Sequence, residues 1–208
     1  MSASLSIPRP ARPDNPHRFW RTLCWVTENI ALSGDLPAGT ADALAQLEYW
    51  EAEGITHEID LRVEAHDGDF VTANSNITYI HRGVDDNGGR RDDAWFDETV
   101  GDIVGILAAD PCARIVVHCH LGVNRAPSMV FASLLEMGWE PLPALRRIRE
   151  VRPIAGIIYA TDAVVWHGVR SGLDHEEIAA NVERVRRWFS RNNLDLSWII
   201  RSLHRRHA

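Results

Sequence analysis

The stretch IVVHCHLGVNRAPSM, residues 115–129, decides how the rest of the chain is read. Ile115, Val116 and Val117 form a short, wholly apolar run, as expected of a strand buried on both faces of a parallel sheet. The run stops at His118-Cys119, passes through a loop with Gly122 at its middle, and meets Arg125 at the head of a helical pattern, SMVFASLLEMG. A buried strand that enters a helix through a glycine-containing loop is a ready anion site. The loop N–H groups converge and the helix N-terminus adds partial positive charge. Cys119 opens the loop and Arg125 closes it, and the six-residue step between them can return the chain so that both face one anion. Arginine offers a planar fork that matches two phosphate oxygens. The same field favours the thiolate, the nucleophilic form of a cysteine. A cysteine beside an anion cradle points to attack on phosphorus and a phosphocysteine, and the leaving alkoxide or phenolate then needs a general acid.

Working outward, strands and helices alternate. WVTENIALSG (25–34), ITHEIDLR (55–62) and ITYIHRGV (77–84) read as strands from their β-branched content and bounding turn residues. TADALAQLEYWEAEG (40–54) and WFDETVGDIVGILAAD (95–110) carry apolar residues at helical spacing, and further helices are expected at 141–150 and 160–170. AHDGDFVTANSN and DDNGGRRDD read as loops. The pattern predicts an α/β fold with a mostly parallel central sheet flanked by helices. Residues 1–20, rich in Pro and Arg, read as a disordered or loosely packed tail, residues 21–170 as the main domain, and residues 171–208 as a C-terminal helical extension of two helices. The segment from Arg170 onward holds eight Arg against two Asp and three Glu, a net +3, which leaves −10 for the remainder of a chain whose total is −7. Such an extension packs on the domain or serves docking or self-association.

The 208 residues suit one domain of ordinary size. A net charge of −7 argues against nucleic acid or an anionic membrane as general partners. No apolar run approaches the roughly 20 residues of a membrane span, and the first residues lack the apolar core of a signal peptide, so a cytoplasmic setting is expected. The cysteines Cys24, Cys112 and Cys119 form no CxxC pair, and every basic residue among the 22 is Arg. His118 and His120 flank Cys119, but neighbours in a strand face opposite ways and no second ligand cluster follows, so neither a metal nor a cofactor is expected. His118 reads instead as a buried residue that steadies the loop.

HCHLGVNRAPS, together with IALSGDL, GITHEIDLR, the Asp-containing loop before WFDETVGDIVGIL and the Val151-Arg152-Pro153 run, resembles the cysteine-dependent protein tyrosine phosphatase superfamily, and most of all its compact dual-specificity members. The resemblance covers about residues 24–170. It implies Cys119 as the nucleophile, Arg125 as the phosphate-binding and transition-state-stabilising residue, and the backbone of His120, Leu121, Gly122, Val123, Asn124 and Arg125 as the phosphate cradle. It also implies a general-acid Asp in the loop after residues 77–84. Asp85 and Asp86 both lie there, and the distance to the aromatic pair Trp95-Phe96 favours Asp86. The substrate implied is a phosphoprotein carrying phosphotyrosine, phosphoserine or phosphothreonine. One departure stands out. Ala126 occupies the place where most of the family has Ser or Thr, whose hydroxyl assists release of the phosphocysteine; Ser128 is two residues further on. That departure keeps open a phosphate-binding pseudophosphatase with very slow turnover. The Asn124-Arg125 step, shared with RNA triphosphatases of this fold, keeps open an RNA or nucleotide phosphatase.

Overall fold

The computed structural model describes residues 10–205. Five strands form one sheet: β1 (Cys24–Trp25), β2 (Ile30–Ser33), β3 (His57–Arg62), β4 (Thr78–Val84) and β5 (Ile115–His118). Their order across the sheet is β1-β2-β5-β3-β4, with β1 antiparallel to β2 and every other pairing parallel. The helices are α1 (Thr40–Ala52), α2 (Gly68–Asn74), α3 (Asp93–Ala109), α4 (Arg125–Glu136), α5 (Pro141–Val151), α6 (Ala160–Arg170), α7 (His175–Arg191) and α8 (Leu196–His204). The fold is therefore α/β around a mostly parallel sheet, as the alternating pattern predicts.

Side-chain alternation divides the interior in two. Ile30, Leu32, Ile59, Leu61, Ile115 and Val117 face the larger core, with α3 to α6 and Val182 and Val185 of α7. Ala31 and Val116 face the smaller one, with Leu47 and Trp50 of α1 and Val71 of α2. β5 is central, so its apolar run is covered on both faces, and its C-terminal end delivers Cys119 between β2 and β3.

Three local expectations are corrected. Residues 25–34 are not one strand but a hairpin, because the Thr27 hydroxyl oxygen accepts from the N–H groups of Asn29 and Ile30 and turns the chain. AHDGDFVTANSN is not all loop: α2 forms within it, with Val71 buried, and its seven residues are too few to show a helical period. The described part of the expected loose tail, residues 10–20, is largely exposed but anchored at several points. The Ala11 N–H donates to the Asn193 carbonyl, the Asp195 N–H donates to the Ala11 carbonyl, Pro16–Phe19 form a 3₁₀ turn, and Trp20 is buried. A large indole next to the loop at Cys119 outweighs the polar composition around it. Residues 1–9 lie outside the described residues.

The two C-terminal helices pack on the rest of the chain. α7 begins at a capping box in which the Asp174 carboxylate accepts from the Glu177 N–H and the Glu177 carboxylate accepts from the Asp174 N–H. α8 seats Ile199 and Leu203 against Trp20, Leu121, Val123 and Ile154. Among the described residues no helix is long and apolar enough to cross a membrane.

Candidate active site

The loop from Cys119 to Asn124 takes its shape from Gly122 within it and Arg152 beneath it. Gly122 has φ +62°, and a Cβ there would lie 2.2 Å from an Arg152 nitrogen and 2.4 Å from the Ser33 carbonyl oxygen, so no other residue fits. Arg152 is fully buried. It donates to the carbonyls of Gly122 (2.7 Å), Leu121 (3.1 Å) and Trp20 (3.0 Å), and its remaining terminal nitrogen reaches Cys24 Sγ at 3.4 Å. Burial pushes its pKa below the ordinary value. The guanidinium thus takes the place of a network of loop hydrogen bonds and braces the underside of the cradle.

Arg125 braces the other side. Nη1 donates to the carbonyls of Leu61 and Val84 and to Glu64 Oε2, and Nη2 donates to Glu64 Oε1. Glu64 therefore holds one edge of the guanidinium. The other edge, Nε–H and the second Nη2–H, makes no hydrogen bond with a described residue, and the buried Nε has only a 3.6 Å ion contact with Asp86. A buried donor without an acceptor is costly unless an anion arrives. Burial works against the Arg125 charge, but the Glu64 hydrogen bonds and the nearby Cys119 outweigh it and hold its pKa above the ordinary value. The Arg125 hydrogen bond in turn holds the Glu64 carboxyl down at about 2.

Asp86 is clasped to the rim of the loop by Asn124. Its Oδ1 accepts from Asn124 Nδ2 (2.5 Å) and from the Tyr159 hydroxyl (2.8 Å). Its Oδ2 lies 3.6 Å from the free Nε of Arg125. Two donors occupy Oδ1, so a proton carried by this carboxyl belongs on Oδ2, the oxygen turned toward Arg125. Burial and then Asp86 raise the Tyr159 pKa, which keeps its hydroxyl a donor. The loop carrying Asp86 is pinned by Arg91, which lies over the Tyr159 ring and donates to the Asp85 carbonyl at 2.7 Å. Asp86 lines the cavity with Cys119 and Arg125; Asp85 is not among its lining residues.

The two histidines diverge because β5 ends at His118 and His120 already lies in the loop. His118 is fully buried and bonds Glu58 on β3 through Nε2 at 2.7 Å. Burial pushes Glu58 up; Asp60 and Glu58 overcome the opposite effect of burial on His118 and raise it too. His120 turns outward to Asp35 (2.6 Å), and its carbonyl accepts from the Asp35 N–H and the Trp20 indole. Ala126 is buried in the first turn of α4. Ser128 donates to Asn124 Oδ1 and accepts from the Tyr159 N–H, so its hydroxyl is engaged away from the loop head. Among the described residues no group of His, Cys, Asp or Glu side chains is placed to hold a metal ion.

The cavity has a volume of about 490 Å³. Cys119, Arg125 and Asp86 lie in its wall, and Leu121, Val123, Ile158, Leu196 and Ile200 give it an apolar collar. Leu196 and Ile200 come from α8, so a segment outside the sequence resemblance completes the wall. Glu64, Tyr159 and the clasp made by Asn124 were also beyond the sequence reading: Glu64 sits in a polar loop with no distinctive spacing, and a lone buried Tyr carries no signal of its own. Arg152 could be found, since it belongs to the run quoted in the resemblance.

No family model matches the sequence, and no curated protein does. Solved structures do. DUSP15 superposes at TM-score 0.59 with 19% identity, covering 78% of this chain and 95% of that one. Human DUSP28 superposes at 0.58 with 16% identity, over 78% and 98%. PTPMT1 superposes at 0.55 with 19% identity, over 78% and 99%. The chain has the dual-specificity phosphatase fold. In that fold the loop at Cys119 leaves the central strand of the sheet, and the segment carrying Asp86 approaches it from the end of β4. A further structure of this fold, human tyrosine phosphatase-like serine/threonine/tyrosine-interacting protein, superposes at 0.56 with 18% identity over 72% of this chain. The fold alone therefore does not name an activity, and the site has to carry it.

Proposed function

We propose that this chain is a phosphatase that hydrolyses phosphomonoesters of proteins through a phosphocysteine on Cys119. The observation that carries the reading is the Nε–H edge of Arg125, buried beside Cys119 without a hydrogen bond and 3.6 Å from Asp86 Oδ2. In the first stage the Cys119 thiolate attacks phosphorus while the P–O bond to the leaving group breaks, and the leaving oxygen takes the proton from Asp86 Oδ2. The free Arg125 edge and the loop N–H groups hold the non-bridging oxygens, whose charge rises in the transition state. In the second stage water attacks phosphorus, the S–P bond breaks, and the Asp86 carboxylate takes the water proton. Inorganic phosphate leaves and the thiolate is restored.

The apolar collar supports aryl esters over alkyl ones. A phosphotyrosine ring can lie against Ile158, Leu196 and Ile200, whereas phosphoserine leaves that surface wet. The test is phosphate release from matched phosphotyrosine, phosphoserine and phosphothreonine peptides, with phosphoinositides and 5′-triphosphorylated RNA alongside. Cys119→Ser removes all measurable release from every substrate, since an alcohol is a far poorer nucleophile than a thiolate. Release that persists in this variant overturns the mechanism.

Ala126 favours a second reading, a phosphate-binding protein with very slow turnover. A hydroxyl at that position would stabilise the thiolate as it leaves phosphorus, and Ser128 is engaged with Asn124 and Tyr159. On the enzymatic reading, rapid-quench experiments give a burst equal to the protein, then a steady rate largely independent of leaving group, and Ala126→Ser raises that rate. A burst followed by no steady release in either protein favours the binding module. No burst and no gain on substitution show that another group already serves the second stage.

A further inference from the structure

A second concave site lies away from the cavity, between α5 and α7. Arg146 and Arg149 of α5 and Arg184, Arg187 and Arg191 of α7 line a groove of about 700 Å³, with Trp188 against its apolar side. One carboxylate, Glu150, shares it, and Glu150 is paired outward with Arg147 at 3.3 Å. Arg187 has only a 3.7 Å contact to Glu183, between two exposed side chains, and Arg184 reaches Asn181. Arg146 and Arg191 have no ion pair with any described residue. Five cations thus converge on one groove of a chain whose net charge is −7.

Arg149 shows what is missing. It sits lower than the four exposed arginines and lies over the Trp188 and Phe189 rings. One terminal nitrogen donates to the Asn192 carbonyl, and its buried Nε has no partner. Burial without an opposing carboxylate pushes its pKa down to about 10. A cation held out of water beside like charges is stabilised when an anion enters.

We propose that this groove is a docking site for an acidic, extended segment of a partner protein, with an apolar side chain set among its carboxylates. Arg184, Arg187 and Arg191 follow one another at i, i+3 and i+7 along a single helix face, a row about 10 Å long. That length matches about three residues of extended chain at ~3.3 Å each. A single phosphate would engage two of the five forks and leave the rest unmatched. Trp188 and Leu142 supply the apolar contact that an inorganic polyanion would not use. A flat bilayer surface would meet the four exposed arginines but not Arg149.

The occupant carries no phosphate in this scheme, so the proposal stands or falls separately from the phosphatase reading. The test uses the full chain and a fluorescein-labelled ten-residue peptide of Asp and Glu with a central Leu, followed by anisotropy. Saturable binding is expected at low salt, weakened about tenfold or more when salt is raised severalfold. Arg187→Glu with Arg191→Glu should weaken it at least about tenfold, and Arg146→Glu alone about threefold. All three side chains are exposed, and unchanged circular dichroism melting confirms the folded state of each variant. Absence of peptide binding overturns the proposal, as does equal binding by the reversed-charge variants. It is also overturned if tripolyphosphate or phosphatidylserine vesicles bind with that sensitivity to charge reversal and the peptide does not.

Discussion

Two arginines hold the loop at Cys119 from opposite sides, and they are held in opposite ways. Arg125 is tied to a carboxylate, Glu64, on one edge and presents its other edge to the cavity. Arg152 contacts no carboxylate among the described residues; it donates to three backbone carbonyls and is fully buried. An arginine whose charge is matched by a partner and whose spare donors face a cavity is set to receive an anion. An arginine spent on carbonyls is set to hold a backbone. On the proposed reading the same residue type thus serves recognition above the loop and architecture below it, and only the partners distinguish the two.

The largest expected effect tests the upper side. Asp86→Asn should slow phosphoenzyme formation from alkyl phosphates by about 10²–10⁴-fold, the usual span for a general acid, and much less from an activated aryl phosphate. Stopped-flow measurement across leaving groups checks this. If Asp85→Asn shows that pattern and Asp86→Asn does not, the two donors on Oδ1 are irrelevant to acid catalysis.

Arg152→Met tests the lower side. It leaves the carbonyls of Gly122, Leu121 and Trp20 without their donor, at ~1 kcal/mol or more each. A total of about 3 kcal/mol lowers Tm by roughly 6–12 °C in a chain of this size. A variant that melts like the native protein would sink the distinction between the two arginines.

Glu64→Gln sharpens the comparison at its weakest point. The Glu64 pKa is depressed to about 2, so its stabilisation is fully present above the ordinary carboxylate value of about 4.3 and is lost as pH falls through about 2. Glu64 is half exposed, so solvent screening limits the loss on substitution to about 1 kcal/mol or less. Thermal melts should show the native protein more stable at pH 7 and the gap closing toward pH 2. A gap of constant size would mean that Glu64 acts through packing.

Much of the fold was legible because its signals are periodic or chemically narrow. Ile115–His118 is an unbroken apolar run with turn signals on both sides, and Ala160–Arg170 has a clear amphipathic spacing. The Cys119 loop was legible because strand, cysteine, glycine, arginine and helix come in order within a few residues. What stayed hidden depends on contacts made across long separations. The hairpin at residues 24–33 turns on one Thr27 hydroxyl. Asn124, noted in the sequence only as part of an Asn-Arg step, ties Asp86, Ile158 and Ser128 together through one amide. Trp20, in a Pro- and Arg-rich segment, lies under the loop because its indole finds the His120 carbonyl a hundred positions away.

The wall that α8 gives the cavity has a consequence for the order of synthesis. Leu196 and Ile200 lie 77 and 81 positions after Cys119 in the chain. At about 5–20 residues per second, the thiol leaves the ribosome roughly 4–16 s before the collar that covers it. During that interval β5, α4 and the residues around Cys119 can assemble while the apolar surfaces of Leu121 and Val123 wait for Ile199 and Leu203. The growing chain therefore passes through a stage in which Cys119 lacks the apolar collar that α8 later supplies.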